Sequence, residues 1–339
     1  MRPEDSNEAF LDRDVVGNVV RSFHPLKLVS PLLMKGCFKM QYMSVKEAAA
    51  QWGVTIQMVR RYCQKGMIPQ VIQENGGWRI PEGTVRPGTP KPEIVETKPS
   101  SLVNQIKYQR SKNNHFGIYE YIQVNLAYSS NRMASNRLTR EQVEDLYRTK
   151  KLSVSFEPTK VDDIVEVMNH FICVRELVDT IEEPLTPSLI RWYHYCLTYG
   201  TYADQKHQIG VGEYRKGPSK LGVPATHISK KLDELISTYE GKKVDFDAIL
   251  DFHVRFEKIH PFEDYNGRVG RLLMIKECLR HNIVPFIIDD KRRGEYNKGI
   301  KCWSTDRSLL RDACLKAQER FNHQLELQKL LQRHKHRAS

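Results

Sequence analysis

Residues 260–271, His-Pro-Phe-Glu-Asp-Tyr-Asn-Gly-Arg-Val-Gly-Arg, interrupt two strongly apolar segments with a short polar loop, and no other stretch constrains the fold as much. Upstream, Phe246–Ile259 sets Ile249, Leu250, His253, Phe256 and Ile259 at helical spacing, and Pro261 ends the periodicity. Downstream, residues 269–280 are more apolar still, which predicts a buried helix. The loop therefore joins two core helices and leaves free backbone N–H groups at the start of the second. Arg268 and Arg271 project from that first turn and complete an anion site. His260 can take a proton near neutral pH, and Asp264 offers a hard oxygen ligand suited to Mg²⁺. Base, cation ligand and phosphate cradle in one loop point to phosphoryl or nucleotidyl transfer, where catalysis is mainly positioning and charge stabilisation. The residues alone do not say which phosphorus is attacked.

The stretch resembles the signature of the Fic family, His-Pro-Phe-x-[Asp/Glu]-Gly-Asn-Gly-Arg-x-x-Arg, at every specified position except Tyr265. The resemblance implies a mainly α protein with a helical Fic (Fido) domain over 105–331. It also implies a small β-hairpin flap within 210–229, placed approximately at Leu221–Ser229, that aligns a target segment by strand addition. The implied activity is that of a protein adenylyltransferase, a nucleotidyltransferase that moves AMP from ATP to a Ser, Thr or Tyr hydroxyl of a target protein, itself included (AMPylation). Phosphocholine, phosphate or UMP transfer stands as a chemical variant on the same scaffold. In this reading His260 is the general base and Asp264 binds Mg²⁺. Asn266 and the Gly267 backbone hold phosphate oxygens, Arg268 takes the β-phosphate side and Arg271 the γ-phosphate.

Tyr265 stands where the family has Gly, in a loop that curls round phosphates. The expectation is a Tyr with negative φ and its ring in solvent, or a ring that crowds the phosphates or selects another nucleotide pose. A second departure is regulatory. Many Fic proteins carry an inhibitory helix, [Ser/Thr]-x-x-x-Glu-[Gly/Asn], whose Glu pairs with the motif's second Arg. With Ser130 as the first position of that pattern, Ala134 stands where the Glu belongs and Ser135 where the Gly or Asn belongs. A methyl group cannot hold a guanidinium, so this chain is expected to be relieved of autoinhibition, as a Glu-to-Ala variant would be.

Before the helical domain, Ser44 with Glu47 makes a capping box, Gln51–Val54 supplies a turn, and Thr55 caps a second helix ending at Gly66. Residues 68–72 and 77–81 read as two short strands about a Gly-Gly turn. The segments Ser44-Val-Lys-Glu-Ala-Ala, Trp52-Gly-Val, Val59-Arg-Arg, Lys65-Gly-Met-Ile-Pro and Trp78-Arg-Ile-Pro resemble the winged helix-turn-helix domains of MerR-like and excisionase-like proteins. That resemblance implies a DNA-binding module over 43–84, with Gln57, Arg60 and Arg61 presented to the major groove and Arg79 reaching the backbone from the wing. Residues 85–104 read as a Pro-rich linker, 1–39 as a flexible leader and 332–339 as a basic tail.

Composition narrows the setting. Fifty-three Lys and Arg against 41 Asp and Glu give a net charge of +12, which suits an acidic partner such as nucleotide or DNA. Seven Cys without a Cys-x-x-Cys pair argue against a disulfide framework and a Cys-rich zinc site, so a cytoplasmic setting is expected. No apolar run approaches a membrane span, so no membrane partner is expected. Both resemblances allow a homodimer. The expectation of a different class is a DNA-binding transcriptional regulator whose Fic domain binds nucleotide without turnover. Tyr265 favours it, and the intact His260, Asp264, Arg268 and Arg271 oppose it.

Overall fold

The computed structural model describes residues 42–68, 71–74, 76–81, 84, 86–87, 101–112, 116–152 and 159–338. The leader expected at 1–39 and most of the linker expected at 85–104 lie outside them. The chain divides into two compact units between Lys91 and Pro92.

The first unit is a three-stranded antiparallel sheet with two helices. Strand β1 (Tyr42–Ser44) leads into α1 (Val45–Trp52), then α2 (Ile56–Gln64), β2 (Ile72–Glu74) and β3 (Gly77–Pro81). The caps follow the sequence. Ser44 Oγ accepts from Glu47 N at 3.2 Å while Glu47 Oε2 accepts from Ser44 N at 2.6 Å, and Gly53 ends α1 with φ 62°. The sequence predicts two strands and a third is present: β1 pairs with the far edge of β3, Met43 opposite Ile80, in the order β1-β3-β2. The first expected strand also starts late, at Ile72, because Ile68 is spent on the core with Val45, Ala48, Val59, Cys63 and Ile80.

The second unit is helical: α3 (Ser101–Ser111), α4 (Ile118–Arg132), α5 (Arg140–Thr149), α6 (Val161–Asp179), α7 (Pro187–Thr198), α8 (Tyr202–Gln205), α9 (Ile228–Glu240), α10 (Phe246–Ile259), α11 (Asn266–Arg280), α12 (Arg293–Cys302) and α13 (Ser308–Ala338). Helix α3 begins inside the stretch expected as linker, and α13 runs on through the stretch expected as a tail. At the centre is α11, packed against α10, α4, α6 and α7. Only Gly267 and Arg280 on it escape full burial. Its apolar run 269–275 is enclosed together with the charges Arg268, Arg271, Lys276 and Glu277, and α10 comes close enough because residue 270 is Gly: a Cβ there would lie 2.7 Å from His253 Cε1.

The expected hairpin flap is a correction. Residues 210–224 form turns, Ala225–His227 a short 3-10 helix, and α9 starts at Ile228; all three strands of the described residues lie at 42–81. The Gly and Pro residues of 210–224 break the chain too often for a ladder. The segment is tied to the motif loop instead, Arg215 N donating to Pro261 O at 2.9 Å and Val223 N to Ile259 O at 3.3 Å.

Candidate active site

The junction of α10 and α11 sets the site. His260 closes α10 in the left-handed region, φ 51°, with its N–H still donated to Phe256 O. A non-glycine residue there costs about 1–2 kcal/mol, so the neighbourhood must over-determine it. Arg215 does this. Its buried guanidinium donates Nε to His260 O at 2.8 Å and Nη1 to Gly217 O at 2.8 Å, and Nη2 reaches Val223 O. Residue 222 must be Gly, since a Cβ would fall 2.7 Å from Arg215 Nη2, His260 Cβ and Ile259 O. The His260 ring is half-buried in a cleft of about 140 Å³ lined by Arg215, Gly217, Pro218, Ser219, Phe262 and Glu263. Burial lowers its pKa below the usual imidazole value, reinforced by the Arg215 charge.

The next residues hold the loop together. Phe262 is fully buried and stacked on His194 at 3.9 Å between centroids. Phe262 N donates to Asn266 Oδ1 at 2.9 Å and Asn266 Nδ2 donates to Phe262 O at 2.8 Å. The sequence reading gives Asn266 to phosphate oxygens; its buried amide instead closes the loop, a task set by the two backbone groups that the turn leaves orphaned. Gly267 and the first N–H groups of α11 have no side-chain cap, because Tyr265 at the N-cap supplies none. Arg271 lies along Gly267, where a Cβ would be 3.0 Å from Nη1.

Tyr265 also corrects the sequence expectation. Its φ is 64°, not negative, and its ring is 4% exposed rather than in solvent. It holds a conformation that Gly adopts freely, offset by three contacts. Its hydroxyl donates to Glu166 Oε1 at 2.9 Å, its ring meets His194 edge-on, and the Arg268 guanidinium lies over the ring at 3.3 Å from the centroid. Arg268 Nη1 donates to the same Glu166 oxygen at 2.7 Å and Nη2 sits 3.7 Å from Asp264 Oδ2. Asn136 Nδ2 occupies Glu166 Oε2 at 3.0 Å. Glu166 thus neutralises a buried cation beside the candidate phosphate cradle.

Asp264 is exposed, with Oδ1 accepting from Tyr265 N at 2.6 Å. Among the described residues no three His, Cys, Asp or Glu side chains cluster as a metal cage. One exposed carboxylate next to uncapped N–H groups fits Mg²⁺ carried largely by water and phosphate. Arg271 is held by α4: Nε donates to Ser130 Oγ at 2.9 Å and Nη2 to Ser130 O at 3.1 Å. The structure therefore joins Ser130 to the second Arg of the motif, while Ala134 lies exposed in the turn after α4 and Ser135 takes φ 75°. Behind Arg271, Glu257 keeps a buried Oε1 with no partner, and burial pushes its carboxyl up to about 7. Gln57, Arg60 and Arg61 are exposed on α2 of the other unit; Arg79 is engaged by Glu74 at 3.1 Å within the sheet.

Comparison with known proteins meets this geometry. Residues 184–278 match the family model described as Fic/DOC family. A probable protein adenylyltransferase of Aquifex aeolicus is 28% identical over 156 residues, 40% of this chain and 47% of that protein. The match thus spans less than half of that relative's length. A Fic-domain-containing signalling protein of Bacteroides thetaiotaomicron superposes with a TM-score of 0.53 at 19% identity over 67% of this chain and 95% of that one. Fic-1 of C. elegans gives 0.53 at 15% identity, over 68% and 72%.

The helical unit has the Fic fold. Within the Fic domain the residues that reading the sequence missed are Glu166, Arg215 and His194, each remote from the motif in sequence. A carboxylate among the apolar residues of α6 was the available signal for Glu166, shared with Asp163 and Glu176 on the same helix and so not specific. In these described residues no helix is long and apolar enough to cross a membrane.

Proposed function

We propose that this protein is a Mg²⁺- and ATP-dependent protein adenylyltransferase that transfers AMP to Ser, Thr or Tyr hydroxyls of a target protein and of itself. The observation that carries the reading is the convergence of His260, Asp264, Arg271 and the uncapped start of α11 on one loop. His260, neutral at pH 7 because burial disfavours its charged form, takes the proton of the acceptor hydroxyl. The free N–H groups of Asn266, Gly267 and Arg268 hold phosphate oxygens, and Arg271 adds charge. Asp264 would hold Mg²⁺, which when bound supplies charge neutralisation along the phosphates. Arg215 fixes the His260 backbone. Relief of autoinhibition at Ala134 belongs to the same reading, and Ser135 in the left-handed region supports the frame that sets Ala134 at the Glu position.

The N-terminal unit supports a companion proposal. Two capped helices and a three-stranded sheet, with Gln57, Arg60 and Arg61 exposed on α2, suit a winged helix-turn-helix that binds DNA. A regulator that binds nucleotide without turnover is favoured by one observation, the Glu166 carboxylate already seated on Arg268. A cytoplasmic enzyme and a homodimer remain parts of the proposal.

The deciding experiment incubates the purified chain with Mg²⁺ and ATP labelled at the α-phosphate, beside His260→Ala. The expected result is an AMP adduct that falls about 10²–10⁴-fold in rate in the variant. ATP binding without any adduct, on this chain or on proteins of a lysate, selects the regulator.

A further inference from the structure

The loop Lys216–Leu221 is exposed at every position but one. Lys216, Gly217, Pro218, Lys220 and Leu221 face solvent, Leu221 at 74%, whereas Ser219 is turned inward and half-buried. It turns into the cleft that His260 lines. Its Oγ accepts from Leu221 N at 3.1 Å, which fixes the oxygen and leaves the hydroxyl proton undirected. The loop cannot drift from the base, because both of its ends are bonded to the backbone around His260. Arg215 N donates to Pro261 O, Val223 N to Ile259 O, and the Arg215 side chain spans His260 O, Gly217 O and Val223 O. Two other hydroxyls near the motif are placed differently: Tyr265 Oη donates to Glu166, and Ser130 Oγ is buried on α4 against the Arg271 guanidinium. Lys220 adds a cation to the same loop as Ser219, while Lys216 is paired with Glu213 at 3.5 Å.

We propose that Ser219 is an acceptor in cis, a hydroxyl of the protein's own loop delivered to His260 and modified by the transfer reaction. This inference rests on the adenylyltransferase reading and adds the acceptor residue to it. The Ser219 Oγ–H proton passes to a ring nitrogen of His260, Oγ forms a bond to the α-phosphorus of ATP, and the bond from that phosphorus to the bridging oxygen breaks. Pyrophosphate leaves with the electron pair. The product carries AMP on the rim of the cleft, so modification would also obstruct entry of a second acceptor.

The test uses the full chain with Mg²⁺ and α-labelled ATP, peptide mapping of the adduct, and separate measurement of pyrophosphate release. Expected are a single major adduct on the peptide containing Ser219, a per-molecule labelling rate unchanged over a hundredfold dilution, at least tenfold less label in Ser219→Ala, and recovery of label in Ser219→Thr. Circular dichroism of Ser219→Ala checks that the fold is intact. An adduct mapped elsewhere, undiminished label in Ser219→Ala, or a rate proportional to protein concentration overturns acceptance in cis and leaves the transferase reading standing. Pyrophosphate release with no adduct shows a live centre that delivers to water, and again overturns it. Neither adduct nor pyrophosphate removes both readings together.

Discussion

The two units place their cations in opposite ways. On α2 of the N-terminal unit, Arg60 and Arg61 are exposed, among partly exposed Ile56 and Met58. In the Fic domain, Arg215, Arg268 and Arg271 are all buried, and each has named partners: three carbonyls, a carboxylate and a ring, a serine. An exposed charge is screened by water and its removal costs little, while a buried one is as stable as the groups that face it. The interior cations therefore encode geometry, and the exterior ones encode attraction. Substitutions should separate the two regimes by an order of magnitude.

The largest effect belongs to Glu166→Ala. It strands the Arg268 guanidinium in the interior with only the Tyr265 ring and a 3.7 Å contact to Asp264. The expected loss is about 3–5 kcal/mol, read from the urea midpoint at constant m-value. Glu166→Gln keeps an acceptor for Tyr265 Oη and should lose less. Equal losses for the two would mean that the charge of Glu166 is not what Arg268 requires.

That pair also shows where the sequence stops being legible. Helix α10 is readable to its end residues, Phe246–Ile259, because the period and Pro261 agree, and the structure adds Asp245 as its N-cap. The motif residues converge for a local reason, since one loop carries them all. Helix α11 starts at Asn266, three residues before the apolar run, because the first turn is held by side-chain closure on Phe262 that periodicity does not register. Glu166 and Arg215 act across long sequence separations, and no local pattern reports such a pairing. Propensity alone keeps Tyr265 out of positive φ; a hydrogen bond, a cation over its ring and an edge-on histidine outweigh a cost of about 1–2 kcal/mol. The flap failed for the opposite reason: fold-level analogy supplied a hairpin that the prolines of 210–224 do not permit.

The second effect is on pH. His170, His194 and His253 are buried and their pKa values are pressed down to about 3, chiefly by desolvation, with Arg271 and Arg268 adding to it at His170. Their folded values lie below the unfolded 6.5, so the unfolded chain binds more protons between about 3 and 6.5, and the stability they contribute is lost as pH falls through that window. Glu257 acts with the reverse sign: its value of about 7 means that its contribution is lost as pH rises from about 4.5 to 7. Asp163 and Glu176, whose carboxyls burial also raises, act with Glu257, but the three histidines outweigh them and stability is expected to fall between pH 7 and pH 5. Thermal midpoints across that range check it, and His253→Gln should flatten the curve. On the proposed transferase reading, activity should fall in the same direction as His260 takes a proton.

Next comes Tyr265→Phe, which deletes only the hydroxyl donated to the Glu166 carboxylate. A hydrogen bond to a charged group predicts a loss of about 1.5–3 kcal/mol. Tyr265→Gly relieves the strain of φ 64° but removes the ring under Arg268, so it should be less stable than Tyr265→Phe while leaving the N–H groups of α11 in place. If Tyr265→Gly were the more stable of the two, backbone strain would dominate this corner and the ring contacts would count for little.

The smallest effect is expected on α2. Arg60→Ala and Arg61→Ala remove exposed side chains without disturbing the buried face formed by Val59 and Cys63, so each should change stability by no more than about 0.5 kcal/mol. Their consequence would lie in association. Removing a side chain that binds a phosphate lowers the slope of log K against log salt for DNA by about 1, with affinity falling uniformly across sequences, whereas removing one that reads a base relaxes preference at a single position. A salt series with the two single variants and the double variant therefore separates backbone recognition from base recognition on α2. Unchanged slopes in all three would assign this helix, with its exposed Ile56 and Met58, to association with protein rather than with nucleic acid.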